Sequence, residues 1–231
     1  MDIVVNKAQS FGFQRLSSKL DLPIVLHSVP GAGKSSLIRE LIKDSRFEAY
    51  TFGEPDRPSV SGYWIRPHTE LNQRNREKFI LIDEYTEAGI NLDFAYAVFG
   101  DPLQSDNKQV KRAHFVCKES RRFGKATAQL LQHFGFDVHS SGDDVVNITD
   151  ALTVDPKGVI VYYEDEVKCL LDYNRVEAKH VREIRGKTFE EVTFVTASND
   201  LGSDPVAAFQ CLTRHKVALN IFCPDATYRP A

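Results

Sequence analysis

No apolar run in these 231 residues approaches the roughly 20 residues that a membrane-spanning helix needs. The longest, such as Val159-Ile160-Val161-Tyr162-Tyr163, are strand-length, so no transmembrane segment is expected. Asp2 opens a start with no apolar core, and no secretory signal is expected either. Cysteine is sparse: Cys117, Cys169, Cys211 and Cys223 are scattered, with no Cys-x-x-Cys pair. That excludes a disulfide framework and a zinc site, and predicts reduced, mostly buried thiols in a cytosolic protein. Trp64, the only tryptophan, reads as a packing residue. There is no internal repeat, no low-complexity segment, no aromatic stacking set and no base-reading motif.

An excess of positive charge is missing too. The net charge of -3 rules out a generally basic coat for nucleic acid. The charge is nevertheless uneven. Seven basic residues (Lys108, Lys111, Arg112, Lys118, Arg121, Arg122, Lys125) face one acid, Glu119, between positions 108 and 125, whereas nine acids lie between 137 and 172. A local positive cleft and a pair of solvated surfaces of opposite sign are both consistent with this pattern.

What is present begins with Ser28-Val29-Pro30-Gly31-Ala32-Gly33-Lys34-Ser35-Ser36. It follows the apolar run Pro23-Ile24-Val25-Leu26 and precedes a helical spacing of Leu37, Ile38, Leu41 and Ile42. Strand, glycine loop, Lys-Ser and helix form the arrangement that cradles the phosphates of a nucleoside triphosphate such as ATP. Gly31 and Gly33 let the backbone turn and aim its N–H groups inward. Lys34 would reach the β- and γ-phosphates, Ser35 would ligate Mg²⁺, and the helix N-terminus would add its positive dipole end. Ser28 stands where the pattern has its first glycine, which alters the first turn and spares the cradle.

Downstream, Phe79-Ile80-Leu81-Ile82 ends in Asp83-Glu84, as a buried parallel strand with an acidic tip would. Asp83 would hold Mg²⁺ through water opposite Ser35, and Glu84 would orient or deprotonate the attacking water. An acidic pair after an apolar run is common by chance; its weight comes from lying one strand beyond the loop. A third strand, Tyr96 to Phe99, breaks at Gly100-Asp101-Pro102-Leu103-Gln104, which places Gln104 where it would sense the γ-phosphate or the water.

The remaining chain alternates strand and helix: helices at about 125–134, 166–173 and 204–212, strands near 145–147, 159–163, 192–195 and 217–222. Before the loop, residues 5–20 carry a modest helical pattern. The irregular segment 53–67 is expected to hold a short strand at Tyr63-Trp64-Ile65. The tail from Pro224 to Ala231 is expected to fray. The whole reads as α/β with two small domains, 1–113 and 114–231.

The motif set is specific. Gly33-Lys34-Ser35, Asp83-Glu84-Tyr85-Thr86 and Gly100-Asp101-Pro102-Leu103-Gln104 resemble motifs I to III of the superfamily 1 RNA helicases of positive-strand RNA viruses. Ser120-Arg121-Arg122-Phe123-Gly124 resembles motif IV, the run from Gly186 to Phe194 motif V, and Leu212-Thr213-Arg214-His215-Lys216 motif VI. A set this compact is similar to the first-encoded movement proteins of the plant-virus triple gene block, carried by potexviruses and carlaviruses. The resemblance implies two RecA-like P-loop NTPase domains with mainly parallel sheets: an ATP-binding domain with motifs I to III and a C-terminal domain with motifs IV to VI.

It further implies that Arg122 and Arg214 reach the γ-phosphate as arginine fingers, for which the planar, permanently charged guanidinium is suited. Without the resemblance, Arg214 is equally an ordinary salt-bridge residue and Arg121 plain surface charge. The resemblance also implies contacts of Thr51, Lys187 and Thr188 with single-stranded viral RNA, and a role for Gly186 in linking RNA to the γ-phosphate. Coat protein, other movement proteins, host silencing factors and further copies of the chain (a homo-oligomer) are implied partners. An NTPase with weak RNA helicase activity, working in the host cytoplasm in cell-to-cell movement and suppression of RNA silencing, is the implied function. A non-catalytic scaffold, in which nucleotide only sets conformation, is the alternative. A nucleoside kinase is disfavoured, because it leaves the Gly-Asp-Pro-Leu-Gln segment and the order of six motifs unexplained.

Overall fold

The computed structural model describes residues 2–105, 110–150 and 154–230. Lys108 of the basic segment and Ala231 of the tail lie outside them. The chain divides into two compact units, Met1–Lys118 and Glu119–Ala231.

The first unit opens with α1 (Asp2–Ser10) and β1 (Gln14–Arg15), followed by β2 (Ile24–Ser28), α2 (Lys34–Leu41) and β3 (Phe47–Thr51). It continues through β4 (Arg66–Pro67), β5 (Phe79–Asp83), β6 (Ala97–Gly100) and β7 (Phe115–Cys117). The strands form one sheet in the order β1-β7-β2-β6-β5-β3-β4, parallel throughout except for the β1–β7 pair. The central strands are nearly continuous apolar runs because both faces are covered. Since β7 pairs with β2, residues 115–117 belong to this unit, past the break drawn at 113 from the sequence.

The second unit holds β8 (Glu119–Ser120), α3 (Lys125–His133), β9 (His139–Ser140), β10 (Val145–Thr149) and β11 (Val159–Tyr162). After these come α4 (Asp165–Tyr173), β12 (Lys179–His180), β13 (Phe189–Val195), α5 (Pro205–Leu212) and β14 (His215–Phe222). Five strands build a fully parallel sheet, β10-β14-β13-β11-β12, and β8–β9 forms a separate parallel pair. Pro205 at the start of α5 and the Asp204 side chain, which accepts from the Ala207 N–H, begin a helix that is buried from Ala207 to Leu212.

Three local expectations are corrected. The helical pattern of residues 5–20 stops at Ser10, because Gly12 (φ 89°) turns the chain so that Phe13 is buried and Gln14–Arg15 pairs with β7. Tyr63–Ile65 is not a strand: the Ile65 N–H and C=O are both taken by Asp56, closing the loop on itself. The tail is docked as far as it is described. Tyr228 is buried with its ring 5.3 Å from that of Phe134, and the Arg229 N–H donates to the Asn199 carbonyl at 2.9 Å. Of the four thiols, Cys169 alone is exposed; all are free.

Candidate functional site

Parallel strands point their C-terminal ends the same way, and β2, β5 and β6 end at Ser28, Asp83 and Gly100. The three motifs therefore share one edge of the first sheet, where open α/β sheets bind ligands. Gly31 (φ 76°) and Gly33 (φ 94°) occupy the left-handed region open to glycine, and Gly33 is the N-cap of α2. That cap has no side-chain hydrogen bond, and the first turn of α2 contains no acid. A helix start of this kind favours an anion at its N-terminal end. Lys34 is buried, with Nζ 3.8 Å from a Glu84 carboxylate oxygen. Ser35 is half-buried and Ser36 exposed on the same turn.

Asp83 is buried, and its carboxylate accepts the Glu84 N–H at 3.0 Å. Burial, followed by the neighbouring Glu84, pushes its carboxyl well above the usual range, against the pull of Lys34. Glu84 adopts a left-handed conformation (φ 50°) that turns the chain out of β5. Gln104 is held by Asp101, whose carboxylate accepts from Nε2 at 2.6 Å and from the Leu103 N–H at 3.0 Å. Asp101 is itself buried, and burial raises its carboxyl. Sequence reasoning singled out Gln104 and passed over the residue that orients it; an Asp three positions before a glutamine at a strand tip was the available signal.

Ser28, in the glycine position, is buried with its Oγ lacking a hydrogen-bond partner. Its hydroxyl gains nothing from the fold. Ser28→Gly is expected to keep ATP affinity within about 2-fold of wild type, equivalent to less than about 0.5 kcal/mol, by titration calorimetry. Thr51 does not present its hydroxyl outward. It is buried and accepts the Gly53 N–H at 2.9 Å, which makes it a turn former rather than an exposed RNA contact.

In the second unit the remaining candidates converge on the N-terminal ends of β13 and β14. The Phe189 N–H donates to the Arg214 carbonyl at 2.8 Å, which sets Gly186-Lys187-Thr188 beside Arg214. An Arg122 guanidinium N–H donates to the Thr213 carbonyl at 3.2 Å, 91 positions away. Arg214 is buried, and its Nε donates to the Gln210 carbonyl at the end of α5. Gly186 (φ 73°) makes the turn that exposes Lys187, while Thr188 is half-buried.

Behind Arg214 lies a feature with no sequence signal. His215 Nε2 is 3.0 Å from both an Asp144 carboxylate oxygen and the Thr127 hydroxyl, and the His–Asp pair is fully buried. Asp144 also accepts the Ala126 N–H at 2.9 Å, capping α3. Burial alone would raise this carboxyl; hydrogen bonds from His215, Thr127 and the backbone outweigh it and hold it at about 2.

Among the described residues no helix is long and apolar enough to cross a membrane. Residues 24–223 match the viral superfamily 1 RNA helicase core domain. The chain is 47% identical to the movement and silencing protein TGBp1 of Poplar mosaic virus (isolate ATCC Pv275) over 100% of both chains. It is 51% identical to that of Lily symptomless virus over 99% of each. Among solved structures it resembles arterivirus nonstructural protein 10, a helicase, with TM-score 0.54 and 17% identity over 95% of this chain. At that identity the likeness concerns the fold, and this chain spans only 56% of that helicase. The chain belongs to the viral superfamily 1 RNA helicase core family, within the group of plant-virus TGBp1 proteins.

Proposed function

We propose that the chain is an RNA-dependent ATPase with weak helicase activity, working in the host cytoplasm to carry viral RNA between cells and to suppress RNA silencing. The observation that carries the catalytic part is the shared edge at which Lys34, the Asp83–Glu84 turn and the Asp101–Gln104 pair meet. An uncapped glycine-turned helix start suits the phosphates. Among the described residues no group of three or more His, Cys, Asp or Glu gathers to hold a metal. Ser35 and Asp83 are the residues that would hold Mg²⁺, which would neutralise phosphate charge. In this reading Lys34 exchanges Glu84 for phosphate, Glu84 takes the attacking water, and Gln104 reports the γ-phosphate. Arg122 and Arg214 add positive charge to the reacting phosphate.

The first unit, Met1–Lys118, then acts as the ATP-binding domain and the second, Glu119–Ala231, as the helicase C-terminal domain. The biological role rests on the relatives named as movement and silencing proteins. RNA binding draws support from the related helicase fold solved in a complex with DNA. RNA contact falls to Lys187 and Thr188 and is dominated by phosphates.

The test is ATP hydrolysis by the folded chain with and without single-stranded RNA. RNA-stimulated release of phosphate is expected; no turnover in either condition would refute the enzyme. Arg214→Ala is expected to lower turnover by about 30- to 100-fold, a modest share of what arginine fingers supply. Arg214→Lys should not restore it, since the planar fork is lost. Turnover of Arg214→Ala equal to wild type would remove the finger role.

A further inference from the structure

Tyr85 follows the acidic pair, and nothing in the chemistry above uses it. Its ring is buried, and its hydroxyl lies 2.7 Å from His27 Nε2 and 3.1 Å from the Lys111 backbone N–H. The Lys111 amide can only donate, so the phenol oxygen accepts there; between the phenol and a neutral His27 imidazole one proton is shared, its donor set by the imidazole tautomer. Burial, with Lys34 adding to it, lowers His27 to about 4, and burial raises Tyr85, so both groups stay uncharged at neutral pH. The two rings stack with an interplanar angle of 9°.

The third motif is shaped around this ring. A Cβ placed on Gly100 would lie 2.8 Å from two Tyr85 ring carbons, and Gly100 is the register partner of His27. One side chain thus touches the strand that enters the phosphate loop, the Gly of Gly-Asp-Pro-Leu-Gln and the backbone of the segment that runs on to β7.

We propose that Tyr85 is a positioning residue for the nucleotide site, its hydroxyl joining His27 at the root of the phosphate loop to Lys111, so that nucleotide bound at the loop tightens the 110–114 segment. The inference rests on the phosphate-loop reading above. It acts through the loop and the segment and touches no reacting atom. Tyr85→Phe keeps the ring against Gly100 and removes only the bridge, leaving the Lys111 N–H and His27 Nε2 without it.

The experiment is hydrogen exchange of the 110–114 amides, free and with ATP, beside the dissociation constant and turnover of each variant. Wild type is expected to show at least 5-fold slower exchange at Lys111 when ATP is added. Tyr85→Phe should lose that response, bind ATP within about 2-fold of wild type and turn over about 5- to 10-fold more slowly, a split in turnover against binding. His27→Leu should match it, and the double variant should be no worse than either single one. His27→Gln, whose amide oxygen can accept the phenol proton, should restore most of the response. A role in stability alone would lower thermal midpoints while leaving ATP-dependent protection in Tyr85→Phe, and that result overturns the proposal. So does wild-type protein that binds ATP without protecting Lys111. Failure of wild type to bind ATP at all would instead remove the phosphate-loop reading, and this inference with it.

Discussion

Lys34→Ala is expected to reduce ATP hydrolysis by about 10³-fold, the scale on which removal of a preorganised charge from a reaction centre acts. The side chain is almost fully buried and sits 3.8 Å from Glu84, in a setting where Asp83 and Asp101 also have carboxyls raised by burial. It is the cation to which both raised carboxyls respond. Without it, bound triphosphate would meet three carboxyl groups with the buried ammonium that offsets them gone. The fold should survive. The glycine turns and α2 do not depend on the ammonium group, and carboxyls already raised by burial can take up protons. Lys34→Met, which keeps the aliphatic stem packed, should lose turnover equally with a smaller shift in thermal midpoint. Turnover within 10-fold of wild type in a folded Lys34→Ala protein would refute the assignment. If RNA binding and assembly persist while ATP binding is lost, the RNA interaction is independent of nucleotide.

The second large effect concerns stability. Asp144→Ala is expected to destabilise the second unit by about 2–4 kcal/mol, the cost of leaving buried hydrogen-bond donors without their acceptor. The change leaves His215 Nε2 with the Thr127 hydroxyl in place of a carboxylate and takes the acceptor from the Ala126 N–H, at side chains closed to water. It also removes the cap of α3. Asp144→Asn, which retains an acceptor oxygen, should cost distinctly less. The pH dependence has a defined sign. The folded-state carboxyl is held at about 2, below its ordinary value of 3.8. Its contribution is therefore fully present above about pH 4 and is lost as pH falls through about 2. Denaturant melts between those limits should show the second unit of wild type weakening while Asp144→Ala loses less. Equal acid sensitivity in the two proteins would contradict the network. Because Arg214 immediately precedes His215, this pair also fixes the strand start from which Arg214 projects.

Much of the site was legible locally because phosphate binding imposes local rules. Glycines at two positive-φ turns, a lysine and a hydroxyl at a helix start, and carboxylates at strand tips all follow from short spacings. Alternating apolar runs and amphipathic helices likewise placed β2, α2, β5, β6, α3 and β13 where they occur. Less legible were elements shaped by non-local pairing. Residues 5–20 have a helical pattern, yet Gly12 and the pairing with β7 end it; Tyr63–Ile65 has strand-forming side chains, yet Asp56 takes the Ile65 N–H and C=O.

By itself the amino-acid sequence determined the class of fold, the order of the six motifs and the phosphate loop that the chain is built around. Those features depend on residues within a few positions of one another, and on periodicities that report which face is buried. Tertiary structure decided which polar groups are partnered. It joined Tyr85 to His27 and Lys111, Arg122 to the Thr213 carbonyl and Asp144 to His215, and it enclosed Thr51 and Tyr228. A histidine or an aspartate looks the same in a sequence whether it is solvated or buried. Only packing, which removes water and makes each unpaired polar atom costly, selects the partner.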